Sequence, residues 1–367
     1  MLNIPPYLKS IKPYKSGKPI EELKRELGLT EIIKLASNEN PFGCSLLVKR
    51  AIEQQTVHIN RYPDGKAYYL RDQLSKFLEI DQDEIIFGNG SNEIIDLTAR
   101  VFLSPDADAL AFQGSFPIYK LVSKTVGANF IEVPLECDFS RNLEKLLNAI
   151  TPKTKVIFID NPCNPTGFAN KKEEFDQFIK ALPNDVVLVL DEAYHEYTKG
   201  HNIPNGLNYI HPINPNIPKK NVILLRTFSK AYGLAGLRIG YAVAQKEIVE
   251  ILEKVRQPFN TNLLAQIGAL EALKDQNFVE FSVKENEKGK IQLYEGFEQL
   301  GIKFLPTYAN FIMFQVEDAD KVYNQLLKEG IIIRPAFGFD NWLRVSIGTK
   351  DENIKFLSAL KGILEKC

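Results

Sequence analysis

Val222-Ile223-Leu224-Leu225-Arg226-Thr227-Phe228-Ser229-Lys230, followed by Gly233-Leu234-Ala235-Gly236 and then Arg238, is the stretch from which the fold is read. An apolar run over 222–225 has strand length, and the residues after it are chemical rather than structural in character. A lysine amine bonds covalently to carbonyl compounds, while hydroxyls and an arginine together suit a phosphate group. The other reading is a lysine capping a surface turn, with Arg238 opening the next strand. The remainder of the chain decides between them.

From about residue 66 the pattern alternates between helical periodicity and short β-branched runs. Helices are predicted over 68–78, 91–102, 116–126, 143–150 and 172–181. Strands are predicted over 84–87, 109–112, 129–133, 155–159, 186–190, 221–225 and 238–244. That alternation implies an α/β fold with a mostly parallel sheet and helices on both faces. In such sheets a site collects beyond the carboxyl ends of the strands. After about residue 265 the pattern changes to long helices and an antiparallel set over 310–315, 331–334 and 342–346, closed by a helix over 351–364. Three parts are expected: an N-terminal arm over 1–35 with one helix over 20–27, packing on the small domain; a large domain over 36–262; and a smaller α+β domain over 263–367.

Bulk properties narrow the function. The 367 residues are 44% hydrophobic, enough to bury a large core, and 45 basic against 46 acidic residues leave a net charge of −1. No charge run supports nucleic-acid or membrane-surface binding. No apolar stretch approaches the roughly 18 residues of a membrane span. The opening Met1-Leu2-Asn3-Ile4-Pro5-Pro6 has neither the basic nor the apolar region of a signal peptide. The four cysteines (Cys44, Cys137, Cys163, Cys367) are scattered without a Cys-x-x-Cys, as in free thiols of a reducing compartment. A cytoplasmic location is therefore expected.

The predicted strands end in chemistry. The first leads to Gly88-Asn89-Gly90-Ser91-Asn92-Glu93 at the start of a helix, where glycines admit a ligand to the backbone and open N–H groups attract phosphate. A dinucleotide fingerprint fits less well: Glu93 takes the third-glycine position, and Gln113 stands where a ribose-binding acid belongs. The strand over 155–159 leads to Asp160-Asn161-Pro162-Cys163-Asn164-Pro165-Thr166-Gly167, whose prolines hold the Asn164 amide in a rigid turn, either for a phenolic oxygen or as a structural Asx-turn. Cys163 within it reads as a small packing residue. The strand over 186–190 leads to Asp191-Glu192-Ala193-Tyr194. An acid ending an apolar strand is costly unless a cation receives it. A protonated pyridine nitrogen is such a cation. Glu192-x-x-His195 matches half of a carboxylate di-iron site, but the second half is missing, so no metal is expected.

Together these ends describe a site for pyridoxal 5′-phosphate. Gly90, Ser91, Asn92, Thr227, Ser229 and Arg238 would hold the phosphate, Asp191, Asn164 and Tyr194 would tune the ring, and Lys230 would hold the aldehyde. Asn164-Pro165-Thr166-Gly167, Asp191-Glu192-Ala193-Tyr194 and Ser229-Lys230 with Arg238 resemble the fold-type I pyridoxal phosphate-dependent aminotransferases. Within them the chain is similar to the histidinol-phosphate branch in Pro13-Tyr14-Lys15-Ser16-Gly17-Lys18-Pro19, Leu35-Ala36-Ser37-Asn38-Glu39-Asn40-Pro41 and Arg61-Tyr62-Pro63-Asp64. Gly330-Ile331-Ile332-Ile333-Arg334-Pro335 and Leu343-Arg344-Val345-Ser346-Ile347-Gly348-Thr349 match as well.

The resemblance implies a seven-stranded large sheet of the aspartate aminotransferase type and a homodimer with shared sites. It implies that Tyr62 reaches the partner's cofactor phosphate and that Phe116 stacks on the ring, where many relatives carry Tyr. Arg344 would clamp the substrate carboxylate and Arg334 assist with the substrate phosphate, with Tyr14 and Asn38 also on the substrate side. The implied reaction is exchange of an amino group between histidinol phosphate and 2-oxoglutarate in histidine biosynthesis. The rival readings are an aromatic aminotransferase or a lyase of the same fold, and a non-catalytic binding protein.

Overall fold

The computed structural model describes residues 4–13, 17–29 and 31–366; Tyr14 lies outside the described residues. In chain order the strands begin with a short β1 (Ile33–Lys34). The large sheet then takes β2 (Ile85–Gly88), β3 (Asp108–Phe112), β4 (Asn129–Val133), β5 (Thr154–Asp160), β6 (Val187–Asp191), β7 (Asn221–Thr227) and β8 (Gly240–Ala244). Its order is β2-β8-β7-β6-β5-β3-β4, and β8 alone runs antiparallel to both neighbours. The predicted mostly parallel sheet is therefore present, with seven strands.

Both faces of this sheet are covered, which is why its strands read as unbroken apolar runs rather than alternating ones. Successive residues still divide between the faces with period two. Ile157, Ile159, Leu188, Leu190, Val222 and Leu224 pack on one side, in the core that also takes Phe175, Phe178 and Ile179 of helix Lys172–Ala181. Val156, Phe158, Val187, Val189, Ile223 and Leu225 pack on the other, with Ile94, Ile95 and Leu97 of helix Ser91–Phe102. On that second face β3 and β8 present Ala109, Ala111, Ala242 and Ala244, small enough to let helices close on the sheet.

Boundaries differ where backbone geometry intervenes. The strand predicted over 238–244 begins at Gly240, because Arg238 adopts a left-handed conformation (φ 59°) that ends any extended run. The helix predicted over 116–126 spans Ile118–Thr125. The helix Leu46–Gln55, capped by Ser45 accepting from the Leu47 N–H, has no counterpart in the sequence reading.

In the second part of the chain, β9 (Phe311–Gln315), β11 (Arg334–Pro335) and β12 (Trp342–Ser346) form an antiparallel sheet in the order β11-β12-β9. The strand predicted over 331–334 is split: β10 (Ile331–Ile332) instead pairs parallel with β1. Residues 33–35 are thereby joined to this second part of the chain, and the Ser346 N–H donates to the Leu35 carbonyl beside β1. A separate core of Leu293, Phe297, Ile312, Phe314, Val345 and Phe356 lies here. Helix Leu263–Lys274 packs Ala265, Ala269, Ala272 and Leu273 into the core of the large sheet. Helix Gln276–Gln299 then runs between cores, with Val279 in the first and Phe297 in the second. Arm helix Ile20–Leu27 seats Leu23 against Leu327 and Ile332.

Candidate active site

A cavity of about 250 Å³ opens beyond the carboxyl ends of β5, β6 and β7, where such sheets place their sites. At one end Ser91 and Asn92 begin the helix Ser91–Phe102 and present its first turn. Gly90 before them has φ 75°, and its N–H donates to the Arg238 carbonyl at 3.0 Å. A Cβ at Gly90 would stand 2.3 Å from Arg238 Nη2, so only glycine lets the guanidinium lie along this turn. Ser229 accepts from Thr227 Oγ1 at 3.0 Å and from Arg238 Nη1 at 3.4 Å. Hydroxyls, helix N–H groups and a guanidinium converging on one spot form the donor set of a phosphate group.

At the other end Asp191, which closes β6, is 4% exposed. Its Oδ1 accepts from the Ala193 N–H at 3.0 Å and its Oδ2 from the Tyr119 hydroxyl at 2.8 Å. Burial, reinforced by the Asp160 carboxylate, pushes its pKa up to about 7 against those hydrogen bonds and the pull of Lys230. Two neutral donors do not offset the desolvation, so the carboxylate lacks a cation of its own. Lys230 shows the converse: burial, then the charges of Arg344 and Arg238, lower its pKa to about 8 in spite of Glu39 and Asp191. Its Nζ donates to the Ser37 carbonyl at 3.1 Å and stands 5.7 Å from the centre of the Tyr194 ring. A group carrying a phosphate, an aldehyde and a protonated ring nitrogen matches this wall: it fills the donor set, removes the lysine's charge and neutralises the carboxylate. The residues fit pyridoxal phosphate.

Of the residues singled out in the sequence, Ser91, Asn92, Phe116, Asn164, Asp191, Tyr194, Thr227, Ser229, Lys230 and Arg238 line this one cavity. Others stand behind it. Asn38 is buried and donates its amide to the Tyr194 hydroxyl at 2.9 Å. Arg344 donates to Asn164 Oδ1 and to the Ala36 carbonyl and lies 5.2 Å from the Phe311 ring centre. Arg334 is its cross-strand partner in register and packs on Phe337. Tyr62 is 83% exposed, stacks on Phe259 with ring centres 4.8 Å apart, and does not reach its own chain's cavity.

Three participants were not picked out by sequence reasoning. Tyr119 sits on the apolar face of a helix and stacks on Phe158 at 4.9 Å, a position indistinguishable in sequence from core packing. Asp160 ends β5 in register with Asp191 and forms a buried ion pair of 2.8 Å with Arg141. The signal for Asp160 was available, because it is an acid closing an apolar strand just as Asp191 is; for Arg141 there was none.

Glu192 and His195 are occupied otherwise than as metal ligands. Burial pushes the Glu192 pKa up, but Arg226, with His195 assisting, draws it down to about 2. Arg226 donates to Glu192 Oε2 through Nε at 3.0 Å and Nη2 at 2.8 Å. Cys163 is buried, accepts from Arg141 Nη2, and burial pushes its thiol up to about 11, which leaves it unreactive.

The sequence pattern of the family "Aminotransferase class I and II" matches residues 30–360. A histidinol-phosphate aminotransferase of Moorella thermoacetica is 45% identical over 358 residues, covering 97% of this chain and 91% of that protein. One from Methylobacillus flagellatus is 44% identical over 365 residues, covering 98% and 97%. The crystal structure of histidinol-phosphate aminotransferase from Sinorhizobium meliloti in complex with pyridoxal-5′-phosphate superimposes with a TM-score of 0.91 at 26% identity, covering 100% of this chain and 98% of that one. An aspartate aminotransferase of Thermus thermophilus, 23% identical with a TM-score of 0.83, shares the fold.

Proposed function

The chain belongs to the class I and II aminotransferase family, and from that premise we propose that it transfers the amino group of histidinol phosphate to 2-oxoglutarate with pyridoxal 5′-phosphate, a step of histidine biosynthesis. The products are imidazole-acetol phosphate and glutamate. The observation that carries this reading is one cavity lined at once by Lys230, Asp191 and the phosphate donors, in a chain more than 40% identical to histidinol-phosphate aminotransferases over nearly its whole length.

When bound, the cofactor supplies a ring that accepts the electron pair left behind as the substrate's Cα proton departs. Lys230, whose amine lies in the cavity wall, would hold the aldehyde of that group. The same amine, when free, would take and return the proton at the substrate's Cα, and a pKa of about 8 leaves about one-tenth of it neutral at pH 7. Asp191 would hold the proton on the ring nitrogen of the bound group, which would supply the cation that its burial favours. Asn164 Oδ1 is taken by Arg344, so its amide hydrogens are left to donate to the cofactor's phenolic oxygen. The Tyr194 oxygen already accepts from Asn38, which leaves its own proton to donate toward the same atom. Phe116 covers the ring from the side of helix Ile118–Thr125.

Arg344 binds the carboxylate of 2-oxoglutarate or glutamate. Arg334, beside it in register, binds the phosphate ester. Asn38 serves the substrate side through Tyr194. We further assign a homodimer with shared sites, in which Tyr62 completes the partner's phosphate site. The exposed Tyr62 and Phe259, stacked on each other, and the exposed Val57, Ile59 and Tyr69 near Tyr62 in sequence support this, since exposed apolar surface marks an interface. The working division is an arm (1–35), a cofactor domain (36–262) and a small domain (263–367). No helix of the described residues is long and apolar enough to cross a membrane, and we place the enzyme in the cytoplasm.

The test follows the absorbance of the bound cofactor during titration with histidinol phosphate, phenylalanine and aspartate. Histidinol phosphate is expected to convert it at the lowest concentration. Equal conversion by phenylalanine would establish an aromatic aminotransferase instead.

A further inference from the structure

In the wall of the cavity Asp160 forms a buried ion pair with Arg141, to which the mechanism above gives no task. Asp160 and Asp191 close neighbouring parallel strands and are partners in register, so their backbones stand about 5 Å apart. Asp160 is 3% exposed, and Arg141 is equally buried. Arg141 Nη1 reaches Asp160 Oδ1 at 2.8 Å and the Asp160 carbonyl at 2.7 Å. Asp160 Oδ2 accepts from the backbone N–H of Asn164 at 2.9 Å. The pair is therefore attached to both ends of the ring chemistry: through the strand register to Asp191, and through the Asn164 N–H to the residue that receives Arg344.

A second carboxylate one strand away from Asp191 is a poor arrangement unless its charge is cancelled. Arg141 cancels it. Removing one member of a buried pair leaves an uncompensated charge, whereas replacing both with neutral groups of similar shape is tolerated.

We propose that Asp160 and Arg141 are positioning residues for the cofactor, a neutral pair that anchors the Asn164 turn and keeps the charge beside Asp191 balanced, so that Asp191 alone sets the proton on the ring nitrogen. This rests on the cofactor reading given above. The charged and titratable groups facing Asp191 are Tyr119 from helix Ile118–Thr125, Asp160 on β5 and Lys230 after β7; those facing Lys230 also include Arg344, Glu39 and Arg238. Apart from Asp160 itself, all of these stay in place in the variants below.

The experiment is a pH titration of the bound cofactor's absorbance in the full, pyridoxal phosphate-loaded chain. Asp160→Asn keeps an acceptor for the Asn164 N–H but leaves the Arg141 charge unopposed. The midpoint is expected to fall by about one pH unit or more, because a cation nearby disfavours the protonated forms. Arg141→Met leaves the Asp160 charge unopposed and is expected to raise the midpoint by a similar amount. The double variant, with a neutral pair, is expected to return to within about 0.3 unit of the original protein. Opposite shifts that cancel are a signature of charge, since structural damage would move both single variants the same way. Should Arg141→Met not accumulate, the fall in Asp160→Asn and its reversal in the double variant carry the test. Shifts of one sign, no shift, or a double variant that fails to return would overturn the proposal. A protein that takes up no chromophore before any substitution would overturn the cofactor reading, and this one with it.

Discussion

Asp191 makes the protein without cofactor less stable as pH rises, and Asp191→Asn should abolish that dependence. The carboxyl titrates near 3.8 when exposed and at about 7 in the fold, raised first by burial and then by Asp160. A carboxyl whose folded pKa lies above its unfolded value binds more protons in the native state. Its contribution is intact below the unfolded pKa and is lost as pH climbs toward the folded one. The rise from 3.8 to about 7 corresponds to about 4 kcal/mol in total, of which about 2.5 kcal/mol falls between pH 5 and pH 8. Lys230 acts in the same protein but titrates higher, at about 8, so its influence grows only at the upper end of this window. The assay is denaturant unfolding of the cofactor-free protein and of Asp191→Asn at pH 5, 6, 7 and 8. The difference in stability should move against the original protein by about 2.5 kcal/mol across the series. With pyridoxal phosphate bound, the ring nitrogen supplies the cation and the trend should vanish. A cofactor-free protein that gains stability over Asp191→Asn on the same passage would refute the reasoning.

Three further outcomes are expected. Glu192→Gln leaves the buried Arg226 without its anion and should cost about 3 kcal/mol in denaturant unfolding, while a loss under about 1 kcal/mol would show that the pair is not needed. Gly90→Ala forces an alanine into a positive-φ extended conformation that is essentially glycine's alone, at about 1–3 kcal/mol, and drives a Cβ into Arg238. Pyridoxal phosphate affinity measured by fluorescence should fall about tenfold or more, and an unchanged affinity would remove Arg238 from the phosphate site. Coexpression of Tyr62→Ala with Lys230→Ala subunits should restore about a quarter of the native activity, because half of the pairs are mixed and each holds one complete site. No gain over the separate variants would sink the shared-site assignment.

The large sheet was legible because strands covered on both faces leave continuous apolar runs, and several of these runs led into residues too polar to bury without purpose. Lys230, Asp191, Asn164 and Arg238 announced themselves in that way, and all four line the cavity. What escaped was set by tertiary contact. Tyr119 reads as a core aromatic and becomes a donor to Asp191 only through the packing of its helix on β5 and β6. The run over 331–334 looks like one strand, yet Ile331 and Ile332 pair with the distant β1 near the start of the chain, while Arg334 pairs with Arg344. No local pattern reveals such a division. Arg238 was expected to begin a strand; the need to turn its carbonyl toward Gly90 gives it a left-handed backbone instead. Asn38, expected on the substrate side, donates its side-chain amide to the Tyr194 hydroxyl, while its backbone N–H donates to Ser346 Oγ and its carbonyl accepts from Asn310, contacts that no local pattern displays.

The most direct test of the role given to Lys230 is chemical. The holoenzyme is treated with borohydride, digested, and its peptides sequenced by mass spectrometry. A phosphopyridoxyl group is expected on the Lys230 side chain and on no other lysine. A label on a different lysine, or none on a protein that has visibly taken up the cofactor, would contradict that role.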